Sequence, residues 1–176
     1  MHMTNDIYQH IENSHIGDDV TLKLENSEEN RIASISIAQQ AHRSIDITSR
    51  DLDHKIYDND EFTDAIKNLA TSSNKAKIRL LIQDSNAVIK HGHRLVELAR
   101  RLTSFIEIRV QGKRFKEFNE AWLIVDSKAW IRRPLSDKYA ADVNYSAART
   151  LQETHKTFNT MWNDASQDPN LRRLSL

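Results

Sequence analysis

His91-Gly92-His93-Arg94 sets two imidazoles two positions apart beside a guanidinium, a grouping that could ligate a metal or attack phosphorus through a neutral ring nitrogen. Lys113-Arg114-Phe115-Lys116 sets three cations around an aromatic ring, and Arg132-Arg133 follows one apolar hairpin later. Guanidinium forks match phosphate oxygens and a ring can stack on a base, so this second grouping suits nucleotides or nucleic acid. Glu117 and Glu120 interrupt it, and a merely solvated charge cluster has the same composition. Polar groups also close several apolar runs: Arg50, Asp51 and Asp53 after residues 45–48, Gln83 and Asp84 after 77–82, and Asp126 at the end of 122–126. Ligands of open α/β sheets tend to sit beyond the carboxyl ends of the strands, which makes Arg50, Asp51, Asp84, His93, Arg94 and Arg133 candidates for one binding rim.

Those side chains share a rim only if the segments between them alternate strand and helix. Residues 20–24 alternate apolar and polar side chains, the period of a half-buried strand. Asn26 or Ser27 can cap a helix to about residue 42, with Ile32, Ile35, Ala38 and Ala41 on one stripe. Residues 45–48 read as a strand, 50–59 as a polar loop, and Asp60 as the cap of a helix carrying Phe62, Ala65, Ile66 and Leu69. The unbroken apolar run after Arg79 reads as a strand covered on both faces. A helix is strongest over 93–102, residues 105–110 alternate as a strand, 122–126 and 129–131 form a strand pair, and 147–165 repeat at helical spacing. On the expected helix the rings of His91 and His93 diverge by about 200°, so neither a metal site nor a cofactor is expected. His155 lies on the apolar stripe of the last helix, where a hydrogen-bonded core histidine is expected, and His54 falls in the polar loop.

The chain of 176 residues suits one domain, placed over residues 20–165, with a polar extension over 1–19 and a frayed tail over 166–176. Ile7, Ile11 and Ile16 are docking points in that extension. Basic and acidic residues number 25 each and the pI is about 7.1, so a polyanion can be held only by a local patch. There is no cysteine, which excludes disulfides and thiolate chemistry. No stretch approaches the roughly 18 apolar residues of a membrane span, and a cytoplasmic protein is expected.

The run Phe118-Asn119-Glu120-Ala121-Trp122-Leu123-Ile124-Val125-Asp126, set in this order of strands and helices, resembles the motif strand in one half of a phospholipase D superfamily enzyme. The resemblance covers about residues 20–164. In that family the strand carries His, then Lys two positions on, then Asp five further, and the histidine attacks phosphorus. The corresponding positions hold Asn119, Ala121 and Asp126, and no His-x-Lys tripeptide occurs elsewhere. Asn144-Tyr145-Ser146 resembles the Asn-containing segment that follows the family motif, which makes Asn144 a ligand-binding candidate, whereas Arg132-Arg133-Pro134 replaces the small Gly/Ser-rich turn expected there. The resemblance implies a single α/β layered domain with a mixed sheet, a phosphate site at the strand ends, and pairing of two halves, hence a homodimer.

An amide nitrogen lacks the basic lone pair of an imidazole, and Ala121 cannot neutralise phosphate oxygens. Asn119 could still hydrogen-bond a phosphate or could simply end a strand, and Asp126 could serve the site or only close a turn. The expectation is therefore a noncatalytic module that binds a phosphate-bearing small molecule, nucleic acid or another macromolecular partner. The alternatives are a phosphodiesterase or nuclease using His91 or His93, and a structural protein-interaction domain.

Overall fold

The computed structural model describes residues 2–172 of the chain. Along it run α1 (His2–Asn13), β1 (Thr21–Leu24), α2 (Ser27–Gln39), β2 (Ser44–Ser49), α3 (His54–Tyr57), α4 (Asp60–Ser72), β3 (Lys77–Ile82), α5 (Ser85–His91) and α6 (Arg94–Arg101). There follow β4 (Ile106–Val110), a 3-10 turn (Lys113–Phe115), β5 (Ala121–Val125), β6 (Ala129–Arg133), β7 (Ala141–Asn144), α7 (Ala148–Asp164) and α8 (Pro169–Arg172). The strands lie in the order β1-β7-β6-β5-β2-β3-β4. β2, β3 and β4 are parallel, and each other neighbouring pair is antiparallel, so the sheet is mixed as expected.

Because side chains alternate across a strand, the sheet builds two separate apolar layers. Ile45, Ile47, Ile78, Leu80, Leu123 and Val125 meet residues of α2, α4 and α6 on one face. Leu81, Trp122, Ile124 and Trp130 meet Leu151, Phe158, Met161 and Trp162 of α7 on the other. Helix starts are set by side chains that accept from orphan amides two or three residues on. Asn26 accepts from the Glu29 amide, Asn59 from Phe62, Asp84 from Ala87, and His93 from Leu95. The cap of α4 is thus Asn59 and not Asp60.

Several expectations need correction. The extension is helical rather than aperiodic, and Ile11 of α1 is buried in the first core layer. Residues 166–172 are docked rather than frayed: Ser166 exchanges backbone hydrogen bonds with Val110, and Leu171 is buried. Arg173 and the rest of the expected tail lie outside the described residues. β7 is a strand that the polar surroundings of residues 141–144 conceal, and Gly92, at a φ of 71°, divides the expected single helix into α5 and α6. Among the described residues no helix is long and apolar enough to cross a membrane.

Candidate functional site

The C-terminal ends of β2, β3 and β4, the start of β5 and the end of β6 meet on one rim, because β5 runs antiparallel to β2 and β6 returns antiparallel to β5. The Arg50 carbonyl accepts from the amides of Gln83 (3.0 Å) and Asp84 (2.7 Å), which ties the ends of β2 and β3 together. Gln83 then donates from Nε2 to the Phe118 carbonyl at 2.5 Å, joining the segment that leads into β5. The rim is a connected surface, with Arg50 and Asp51 exposed on it.

Many of its charged groups are already engaged. Asp84 caps α5. Arg94 donates to Asp58 and Asp60. Arg132 and Arg133, adjacent on β6, point to opposite faces: Arg132 pairs with Glu120, while Arg133 is buried and lies 3.4 Å from Asp53. They do not form one basic group with the loop over 113–116, as their adjacency implied. Ala121 is buried directly across from Arg133 in the β5–β6 register. Burial, then a hydrogen bond to Asp53, pushes the Tyr139 hydroxyl up to about 12, and its ring lies 5.5 Å from the Arg133 guanidinium carbon.

Asn119 is exposed at the rim and pins the loop after β6, since the Ser136 hydroxyl donates to its Oδ1 (2.7 Å) and the Ser136 amide to its carbonyl (2.7 Å). Two other candidates lie at the opposite end of the sheet. Asp126 accepts from the amides of His42 (2.8 Å), Arg43 (2.7 Å) and Ser44 (3.0 Å), and so organises the entry to β2. Asn144 pairs across from Trp130 near the start of β6 and accepts from the Ser146 amide, a local turn contact far from the rim. Chain direction decides both cases: a strand that returns antiparallel carries its last residues away from the site.

His93 has no free ring nitrogen. Nδ1 accepts from the Leu95 amide at 3.1 Å, which leaves the proton on Nε2, 2.9 Å from the buried Leu52 carbonyl. Leu52 has a φ of 56°, an unfavourable conformation for a branched side chain, and its amide donates to Ser49 Oγ. His93 therefore holds a strained turn of the rim rather than facing a ligand. Exposed His91 borders a cleft of about 460 Å³ with Asp51, His54 and Asp58. Among the described residues no cluster of three or more His, Asp or Glu side chains is placed to hold a metal.

Burial lowers the His93 pKa below the ordinary 6.5, outweighing the opposing pull of Asp58 and the Leu52 bond. The unfolded chain then takes up the proton first. The stability contribution is full above about pH 6.5 and is lost as pH falls toward and through the lower native value. We expect His93→Asn, which keeps an N-cap acceptor, to flatten the decline of the urea midpoint between pH 7.5 and 5. An equal slope in the variant would rule His93 out as its source.

The loop over 113–116 carries its charge outward. Lys113, Arg114 and Lys116 are exposed and, among the described residues, enter no ion pair. Phe115 is half-buried against the second core layer, with the Arg114 guanidinium 5.2 Å from its ring centroid, so the expected stacking surface is partly occupied.

Sequence reading missed a largely buried charged network. Asp46, in the middle of β2, receives Arg79 Nε at 2.7 Å and Nη2 at 3.0 Å, with His155 Nε2 at 3.3 Å. Arg79 also donates to Asn159 and lies over Phe158 at 4.7 Å. The signal was an Asp between isoleucines and an Arg in an apolar run, opposite an interior-facing His155.

A family model described as "Domain of unknown function (DUF7931)" matches residues 26–174. The chain belongs to this family. No curated protein matches the DUF7931 chain by sequence. Its fold is similar to that of TrmBL2, an archaeal chromatin protein with a novel mode of DNA binding, at 15% identity and a TM-score of 0.62, over 94% of this chain and 60% of that one. The chain thus spans about 60% of the length of TrmBL2. It is also similar to Nuc from Salmonella typhimurium, a phospholipase D family member, at 14% identity and a TM-score of 0.55, covering 83% of this chain and 97% of Nuc. NucT from Helicobacter pylori matches at 13% identity and 0.62, covering 85% and 99%. At these identities the likeness establishes a phospholipase D-like fold alone.

Proposed function

We propose that this chain is a noncatalytic phospholipase D-like module that binds phosphate groups of a polyanionic partner at the strand-end rim. The observation that carries the reading is the trio Lys113, Arg114 and Lys116, exposed and unpaired among the described residues, while Arg94, Arg132 and Arg133 are engaged by carboxylates. Arg50, joined to the same loop through Gln83, is exposed and unpaired among the described residues as well. The DNA-binding chromatin protein among the similar folds is consistent with a polyanionic partner.

The noncatalytic part rests on Asn119 and Ala121 standing where the family has its nucleophile and cation. The hydrolase alternative loses His93 to its two hydrogen bonds and keeps only exposed His91. Inorganic polyphosphate at 100 times its Kd is expected to stabilise the native state by about 2.7 kcal/mol, several degrees in Tm. Lys113→Gln, Arg114→Gln and Lys116→Gln together are expected to remove that shift. An unchanged shift in the triple variant, or hydrolysis of bis(p-nitrophenyl) phosphate that disappears with His91→Ala, would overturn the reading.

A further inference from the structure

We infer that the loop over 113–116 is a sequence-independent clamp for the phosphate backbone of double-stranded nucleic acid. The inference rests on the phosphate-binding reading above and narrows it to one class of ligand. Three properties of the loop carry it: outward charge, packed aromatics and fixed anchorage.

Lys113, Arg114 and Lys116 project from an exposed turn with Glu117 beside them, so they can reach an extended row of phosphates rather than enclose one small anion. Single strands are gripped largely by bases stacked on exposed aromatic faces. Here no aromatic near the loop presents a free face: Phe115 and Phe118 are half-buried and packed, and Trp122 and Trp130 are buried. Phe115 packs on the second core layer beneath the Arg114 guanidinium, Phe118 meets Trp122 edge-on at 5.0 Å, and Trp122 meets Trp130 at 6.0 Å. Freeing Trp122 or Trp130 for a base would break the packing against α7, and the outer part of Phe115 is already taken by Arg114. A duplex needs no such platform, and its two strands present one charge per about 1.7 Å of axis, the densest array for a short row of cations.

The row is also held in place. Before the loop, Val110 exchanges two backbone bonds with Ser166, and the Gln111 amide donates to the Ile82 carbonyl at 2.8 Å. Gly112 passes so close to Asp164 that a Cβ there would collide with the carboxylate and come within 3.2 Å of the Asp164 carbonyl. After the loop, Gln83 grips the Phe118 carbonyl. Binding then has to order the three side chains but not the backbone that carries them.

Fluorescence anisotropy with the full chain tests this, using two 24-base-pair DNA duplexes of unrelated sequence, each single strand alone, and inorganic polyphosphate as competitor, across a salt series. Both duplexes are expected to bind within twofold of each other and at least fivefold more tightly than either strand. Three phosphate contacts give a slope of log K against log[salt] of about −2.7, and each single Lys113→Gln, Arg114→Gln or Lys116→Gln change is expected to reduce it by about 0.9. Equal or tighter binding of single strands, strong preference between the duplexes, or slopes unmoved by the variants would overturn the inference while polyphosphate binding leaves the broader function standing. Failure of polyphosphate and every oligonucleotide alike would overturn both.

Discussion

Asp46→Ala is expected to cost the fold about 3–5 kcal/mol, read as a drop in unfolding free energy in urea. The side chains of Asp46 and Arg79 are only 4% and 13% exposed, and the two form a bidentate pair between the sheet and α7. Removing the carboxylate leaves a guanidinium among Phe158 and Trp162 with Asn159 as its remaining side-chain partner. The double variant Asp46→Met with Arg79→Met is expected to recover most of the loss, since an apolar pair needs no counter-charge. A single-variant loss under about 1 kcal/mol would mean that water reaches Arg79 freely. Burial alone would raise the Asp46 pKa, but hydrogen bonds from His155 and Arg79 outweigh it and hold the carboxyl below the ordinary 3.8. This contribution is present above about pH 3.8 and is lost as pH falls through the lower native value. The Asp46→Met/Arg79→Met variant is expected to lose that part of the acid limb of unfolding.

Asp126→Ala is expected to cost about 2 kcal/mol from its charged hydrogen bonds alone, and to leave the polyphosphate-induced rise in Tm intact. Its carboxylate gathers three successive amides at the start of β2, and its backbone sits at a φ of 55° in the turn to β6. Alanine removes the acceptor and tolerates that φ poorly. Asp126→Asn, which keeps one oxygen and accepts the conformation, is expected to lose about half as much. The two readouts separate scaffold from site: a variant of normal stability that no longer responds to polyphosphate would place Asp126 in binding instead.

The sequence periods identified the central strands and the main helices because burial on one or two faces imposes period 3.6 or 2 on any soluble sheet protein. β7 escaped because four residues, Ala141 to Asn144, between polar loops give too short an alternation to read. α1 escaped because only Ile11 and its neighbours face the core along a polar helix. For the site, local order in sequence was a poor guide to partnership. Arg132 and Arg133 separate by the pleat, Asn144 and Asp126 by strand direction, and His93 by a cap and a buried carbonyl that no spacing announces. The loop over 113–116 was recognisable from its charges alone, but the packing of Phe115 depends on α7, which arrives more than thirty residues later.

An open sheet ends in two rows of unpaired backbone groups, and such rows are templates for another chain. At β4 the chain occupies part of that row itself, with Ser166 bonded in both directions to Val110 and Leu171 tucked behind it. At the other margin β1 offers only four residues, with Lys23 exposed along it. The same segment that fixes the base of the cationic loop therefore also covers part of a sheet edge, so edge protection and the shape of the rim are inherited together.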